Sequence, residues 1–304
     1  MKALTDYRAD TFMNVRQVSN YLHLNEKKIY ALVNEGHIPA TKITGKWMFP
    51  KELIDRWMLD STHHGLLRDR LTVSGSDDPL LYRLILDYAR ELGNKALITY
   101  TASGTRAGLD LLNANRIDAC CMHWGPAQES YLRHPSLIQQ YPQHNDWIII
   151  HAYKREQGLI FDASRLAQYR DIADLLQADS NWCLRQQGSG SQRFLLELLS
   201  HHGLNEDSLN NTSHALSERE AASAITLQQA DISIATRATA NEFKLDFISL
   251  GWQAFDLVLP QKIWFRHLFQ RLIQRIQSDQ GQKIAHCLGG YDLSQSGELL
   301  WGQD

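Results

Sequence analysis

Three times in this chain a short apolar run ends at a turn of glycine and hydroxyl residues, and a helical pattern follows. Leu71-Thr72-Val73 runs into Ser74-Gly75-Ser76-Asp77-Asp78. Ala96-Leu97-Ile98-Thr99-Tyr100 runs into Thr101-Ala102-Ser103-Gly104-Thr105. Trp182-Cys183-Leu184 runs into Arg185-Gln186-Gln187-Gly188-Ser189-Gly190-Ser191-Gln192-Arg193. Strands that alternate with helices imply an α/β fold with a largely parallel sheet. Ligands of such sheets sit outside the carboxyl ends of the strands. The three turns are therefore expected to converge on one ligand.

The third turn is the most informative. The spacing predicts a strand before it and a helix over Phe194–Leu199, with Arg185 and Arg193 on either side. A helix start leaves backbone N–H groups without partners and favours negative charge. Glycine lets a ligand approach that backbone closely, so the turn can cradle an anion. It matches neither G-x-x-x-x-G-K-[ST] nor G-x-G-x-x-G, so a nucleotide is not the expected ligand. The alternative role for Ser76, Ser103 and Ser189 is that of helix caps.

Composition is that of a globular protein, 43% hydrophobic and 21% charged over 304 residues. No apolar run is long enough to span a bilayer and no signal-peptide pattern opens the chain, so no membrane partner and a cytoplasmic location are expected. Cys120, Cys121, Cys183 and Cys287 lack C-x-x-C spacing, and the adjacent pair is expected to be reduced core. Residues 1–62 hold nine Lys/Arg against seven Asp/Glu; the remainder holds 22 against 27. A duplex partner is sought at the basic end.

That end reads as helix, tight turn, helix, hairpin and helix. Asn14 caps a first helix with Val15, Val18 and Leu22 on one face. His23-Leu24-Asn25 is the turn. A second helix over Glu26–Glu35 puts Ile29, Leu32 and Val33 inward, and Gly36 stops it. Two short runs, Ile38–Ile43 and Trp47–Pro50, are joined by Thr44-Gly45-Lys46 as a wing. Lys51–Met58 begins a third helix.

These residues resemble the MerR/excisionase-type DNA-binding module over about fifty positions. The matching stretches are Asn14-Val15 through Tyr21-Leu22, Lys27-Lys28-Ile29-Tyr30, Gly36-His37-Ile38-Pro39-Ala40 and Gly45-Lys46-Trp47-Met48-Phe49. The resemblance implies a winged helix-turn-helix over residues 1–62 that binds double-stranded DNA. The second helix then enters the major groove, and Arg16, Lys27, Lys28, Tyr30, Thr44 and Lys46 are the candidate contacts. Residues 63–70 read as a linker.

In the remainder, Trp147–Tyr153 is a long apolar strand that continues into Lys154-Arg155-Glu156-Gln157-Gly158. Asp246–Leu250 and Phe255–Pro260 read as a matching return. Two such passages would join two lobes across a cleft. A weak echo between Leu111–Ala119 and Ile225–Ser233 has a helix leading to an aspartate at the start of a buried strand in both places.

Residues 71–295 resemble the periplasmic-binding-protein-like (type II) domains, including the molybdate-type solute receptors. The motifs are Tyr153–Leu159, Arg185–Arg193 and Leu288-Gly289-Gly290-Tyr291-Asp292. The resemblance implies a two-lobed body: lobe I over 71–152 and 255–304, lobe II over 153–254. Candidate ligand contacts are Ser74, Ser76, Ser103, Thr105, His123, Tyr153, Arg185, Gly188, Ser189, Gly190, Ser191 and Arg193. One of Arg185 and Arg193 is expected on the ligand. Arg155 and Glu156 are expected to pair with each other at the hinge. The expected protein is a one-component, homodimeric transcription regulator that senses a small anion, molybdate or tungstate first and a carboxylate such as formate second. No cofactor or metal is expected. No nucleophile–base pair or cofactor fingerprint supports the rival, an enzyme on the same body.

Overall fold

The computed structural model describes residues 12–35, 38–43, 45–61, 70–162, 164, 172–177 and 179–302. The chain divides into two compact units, residues 1–68 and 69–304. The expected stop at Gly36, wing residue Thr44 and most of the expected linker lie outside the described residues.

The first unit is a winged helix-turn-helix. Asn14 caps helix α1 (Val15–Leu22) through a reciprocal box: its Oδ1 accepts from the Gln17 N–H, and Gln17 Oε1 accepts from the Asn14 N–H. His23, at φ 53°, ends that helix in the left-handed region. Asn25 then caps α2 (Glu26–Asn34) by accepting from the Lys28 N–H. Strands β2 (Thr41–Ile43) and β3 (Lys46–Pro50) form the hairpin, and α3 (Lys51–Ser61) follows. A strand absent from the sequence reading, β1 (Phe12–Asn14), pairs with β3. The core joins Val15, Val18, Ile29, Val33, Phe49 and Ile54.

The second unit carries one continuous sheet across two lobes. Strands β4 (Arg70–Gly75), β5 (Leu97–Ala102) and β6 (Ala119–Met122) run parallel in lobe I. Strands β8 (Asn181–Arg185), β9 (Asn210–Ala215) and β10 (Ile232–Thr236) run parallel in lobe II. Between the two sets lie β7 (Trp147–Phe161) and β11 (Asp246–Pro260), each 15 residues long and antiparallel to one another. At about 3.3 Å per residue each spans roughly 50 Å, enough to pass through both lobes. Two short strands, β12 (Tyr291–Asp292) and β13 (Leu299–Trp301), add to β7.

Each lobe has its own core. Leu71, Leu81, Tyr88, Phe255, Leu257 and Phe269 belong to that of lobe I; Leu159, Trp182, Leu184, Leu195 and Ile234 belong to that of lobe II. The fold class is the expected one, with one local correction. The return passage is a single strand: Trp252, Gln253 and Ala254 keep pairing with Glu156, Arg155 and Lys154, and the irregularities fall at Ser249/Gly251 and Phe255/Asp256. The helix after β8 starts at Gly190, four residues before the expected Phe194, because Ser189 caps it by accepting from the Gln192 N–H.

Candidate functional site: a buried charge cluster between the lobes

The turns after β4, β5, β6 and β8 meet where the lobes touch. Gly75 and Gly190 show how tightly. A Cβ on Gly75, at φ +126°, would lie 2.1 Å from the Cys121 carbonyl oxygen, and one on Gly190 would lie 2.2 Å from that of His123. Only glycine fits either place.

At the centre is Arg155, wholly buried on β7. Its Nη1 donates to the Asp77 carbonyl at 2.6 Å and to Asp78 Oδ2 at 3.1 Å. Its Nη2 lies 3.3 Å from Glu218 Oε1 and 3.0 Å from His123 Nδ1. The guanidinium lies 4.9 Å from the centre of the Phe255 ring. Asp78 also caps the helix Pro79–Leu92, and its Oδ1 accepts from Tyr153 at 2.8 Å. Asp78 is thereby a structural acceptor for the arginine, fixed by backbone and phenol.

Arg185 ends β8 and is also buried. Its Nε and Nη2 donate to the carbonyls of Ala215 and Leu216, at 3.3 and 3.2 Å. Its Nη1 faces Glu218 Oε1 at 4.0 Å. Glu218 opens the helix Glu218–Thr226, and its Oε2 accepts from the Thr236 N–H and hydroxyl and from the Thr239 hydroxyl. The other oxygen, Oε1, is left facing both arginines. The Glu218 N–H donates to Asp77 Oδ2 at 2.8 Å, which ties lobe II to lobe I.

Burial and the Glu218 charge push the Asp77 carboxyl up. Burial, then the Arg155 charge, push His123 well below the ordinary histidine range, so its ring is neutral and accepts from Arg155. Burial also lowers Arg185, against the support of Glu218. Three buried atoms of the cluster have no hydrogen-bond partner among the described residues: Arg155 Nε, Arg185 Nη1 and Glu218 Oε1, the last two held only by the ion-pair contacts above. Such atoms are costly unless something else satisfies them.

Several of the expected ligand residues meet here, in altered roles. His123, Tyr153, Arg185, Gly190 and Ser191 surround the cluster, with Ser191 Oγ 3.4 Å from His123 Nε2. Ser76 and Thr105 share a hydrogen bond at 2.8 Å, and Ser74 and Ser103 share one at 2.9 Å. Ser189 is the cap described above. Of the three expected caps only Ser189 is one; Ser76 and Ser103 bond to Thr105 and Ser74 instead, while Asp78 and Gly104 hold the cap positions of their helices. Gly188, at φ +80°, accepts from the Arg106 N–H across the lobes. Arg193 lies one turn into its helix, half exposed, and pairs with Glu197 at 2.8 Å; it lines one cavity together with Arg185, Gly188 and Ser189.

Arg155 and Glu156 do not pair. Adjacent strand residues point to opposite faces, and Glu156 instead meets Arg237. Sequence reasoning missed Asp77, Asp78 and Glu218 as cluster residues. The signal for the aspartates was their place directly after the Ser74–Ser76 turn. For Glu218 it was Ser217, an N-cap residue following a strand.

In the first unit Arg16, Lys27, Lys28 and Lys46 are exposed, and Tyr30 is 45% exposed. Lys27 and Lys28 sit in the first turn of α2. Cations there oppose the helix dipole, an arrangement that a phosphate would relieve. Among the described residues no cluster of His, Cys, Asp and Glu is placed to hold a metal, and no helix is long and apolar enough to cross a membrane.

Two lobes joined by a pair of crossover strands, with a charge cluster between them, define a two-lobed domain of the PBP-like kind on a chain that also carries a helix-turn-helix. Residues 86–277 match the family model of the PBP superfamily domain, and residues 12–61 match that of a helix-turn-helix domain. The chain belongs to the PBP superfamily. It is 20% identical over 303 residues to the uncharacterized protein YvgK of Bacillus subtilis (strain 168), covering 94% of this chain and 96% of that one. Its fold is similar to that of a Corynebacterium glutamicum OxyR cysteine mutant with hydrogen peroxide bound (TM-score 0.54, 14% identity, 90% of both chains). It is similar also to a putative phosphate ABC transporter substrate-binding protein from Clostridium perfringens with bound phosphate (TM-score 0.51, 12% identity, 72% of this chain and 97% of that one). A third similar fold is PhnD1 from Prochlorococcus marinus (MIT 9301) with methylphosphonate (TM-score 0.51, 12% identity, 75% and 93%).

Proposed function

We propose that this chain is a one-component transcription regulator: the first unit binds duplex DNA, and the second closes on a small oxyanion. One observation carries the reading. Arg155 and Arg185 are buried between the lobes, and each keeps an N–H without a hydrogen-bond partner. Buried guanidinium donors of this kind suit the oxygens of an anion. Two of the similar folds hold phosphate and methylphosphonate. Molybdate and tungstate are the first ligands to test, on the likeness of the Tyr153–Leu159 and Arg185–Arg193 motifs to those of the molybdate receptors, with formate second. Two copies of the chain would present two heads to two half-sites. The role is binding, with no catalysis.

The test is the melting temperature of the full chain with molybdate, tungstate, sulfate, phosphate and formate. A ligand at one hundred times its dissociation constant adds about 2.7 kcal/mol. For a protein of this size that is a rise of roughly 5 to 10 °C. A flat response across all five removes the oxyanion reading.

A further inference from the structure

The two crossover strands carry a second set of unpartnered atoms beside the cluster. Gln253 is wholly buried on β11, and among the described residues neither its amide nitrogen nor its amide oxygen has a hydrogen-bond partner. The amide oxygen of Gln157, wholly buried on β7, is bare in the same way. A buried amide left so is costly unless something else satisfies it.

Register places these groups together. Gln253 stands opposite Arg155, as Phe255 stands opposite Tyr153. Opposite residues of an antiparallel pair share one face, and here the Tyr153 and Phe255 rings stack at 5.1 Å. Gln157, two residues from Arg155, shares that face and reaches Ser191 Oγ at 3.3 Å. It is diagonal to Gln253, a spacing that long side chains bridge. The unpartnered Arg155 Nε belongs to the same patch.

Resting on the oxyanion reading above, we propose that Gln253 is a ligand residue: its NH2 and Arg155 Nε donate to the anion, and Gln157 fixes the direction of the Gln253 amide. The direction starts at Arg155. Its Nη2 donates to His123, with Nδ1 the nearer ring nitrogen at 3.0 Å. A neutral ring that accepts at Nδ1 keeps its proton on Nε2, which faces Ser191 Oγ at 3.4 Å. Ser191 then has its own hydrogen to give, and the Gln157 oxygen receives it once that amide is turned over, a change of almost no shape. The Gln157 NH2 is freed for the Gln253 oxygen. What remains is the Gln253 NH2 beside Arg155 Nε, two donors that call for an acceptor.

The test is titration calorimetry of the full chain with sodium molybdate and with inorganic phosphate, alongside the melting temperature without anion. Gln253→Met fills nearly the same volume without the amide. It should weaken the anion that binds the wild type roughly ten- to hundredfold, the range for a lost hydrogen bond to a charged group. It should not lower the melting temperature of the anion-free chain, because the amide it replaces has no partner there. Gln253→Asn keeps an amide but draws it back by one methylene, and should lose affinity likewise, so the test stands if the methionine variant does not fold. Affinity unchanged in both variants, or lost only in step with the stability of the anion-free chain, would overturn the proposal and leave the oxyanion reading intact. Absence of heat with both anions in the wild type would overturn that reading and this proposal with it.

Discussion

Asp118 and Asp231 do the same work in the two lobes. Asp118 Oδ2 accepts from the Thr72 N–H at 2.8 Å, and the Asp118 N–H returns a bond to the Thr72 carbonyl at 2.8 Å. Asp231 Oδ2 accepts from the Asn181 N–H at 2.9 Å, and its N–H returns a bond to the Asn181 carbonyl at 2.7 Å. Three residues before each aspartate the backbone turns left-handed without glycine, at Asn115 and Gln228, with φ 55° and 61°. Each lobe thus locks the start of its first strand to the start of its third.

Losing Asp118 should be costly. Its Oδ1 also takes the buried Arg266 guanidinium at 2.7 Å. Asp118→Ala therefore breaks a buried pair and should cost about 3 to 5 kcal/mol. Urea unfolding of the variant checks this, and a loss below about 1 kcal/mol would contradict it.

Asp256 predicts a pH dependence. It is buried on β11 between His134 and His151, at 2.6 and 2.7 Å. Burial pushes its carboxyl up, but His134 and then His151 outweigh this and hold it below the usual carboxylate range. A carboxyl depressed in the folded state adds stability above its unfolded value of about 3.9, and that share is lost as pH falls through the folded value. The stability gap between the wild type and Asp256→Asn should be full at neutral pH and shrink in acid. A gap that widens on acidification would show that the sign is wrong.

The two arginines of the glycine turn should separate cleanly. Arg185 is buried against Glu218, whereas Arg193 is half exposed and pairs within its own helix. Arg185→Ala should remove the melting shift produced by the effective anion. Arg193→Ala should leave it within about 1 °C, since an exposed i,i+4 pair contributes little. Loss of the shift in Arg193→Ala with retention in Arg185→Ala would reverse the assignment.

For the first unit, Lys46→Ala should weaken binding to every duplex alike and lower the slope of log affinity against log salt by about one. Lys28→Ala, in the first turn of α2, should in addition alter the preferred sequence. Both are read by fluorescence anisotropy across salt concentrations. An unchanged salt slope for Lys46→Ala would take the wing off the phosphates.

The fold was readable because its signals are local. Asn14 and Asn25 announce helix starts, the strand–turn–helix alternation announces a parallel sheet, and the echo between Leu111–Ala119 and Ile225–Ser233 proved to be the Asp118/Asp231 lock. The site was readable only in part. Arg185 and His123 lie next to strand ends, where a ligand is sought. Glu218 is 33 residues from Arg185 in the chain, and only the β8–β9 pairing brings its helix beside that turn. The burial of Arg185 and the exposure of Arg193 depend on where the helix begins, which the Ser189 cap sets. The pairing of Arg155 with Asp78 and Glu218 is a contact between lobes, and no local pattern carries it.

The central claim is that one chain couples an anion between its lobes to DNA at its head. The most direct measurement is anisotropy of the full chain on the duplex upstream of its own coding sequence, titrated with molybdate and, separately, with tungstate and sulfate. The account predicts that molybdate and tungstate shift the DNA affinity at least tenfold in one direction, that sulfate acts less, and that Arg185→Ala binds the duplex but no longer responds. DNA binding that is identical with and without every anion, in a chain shown to bind one of them, would contradict it.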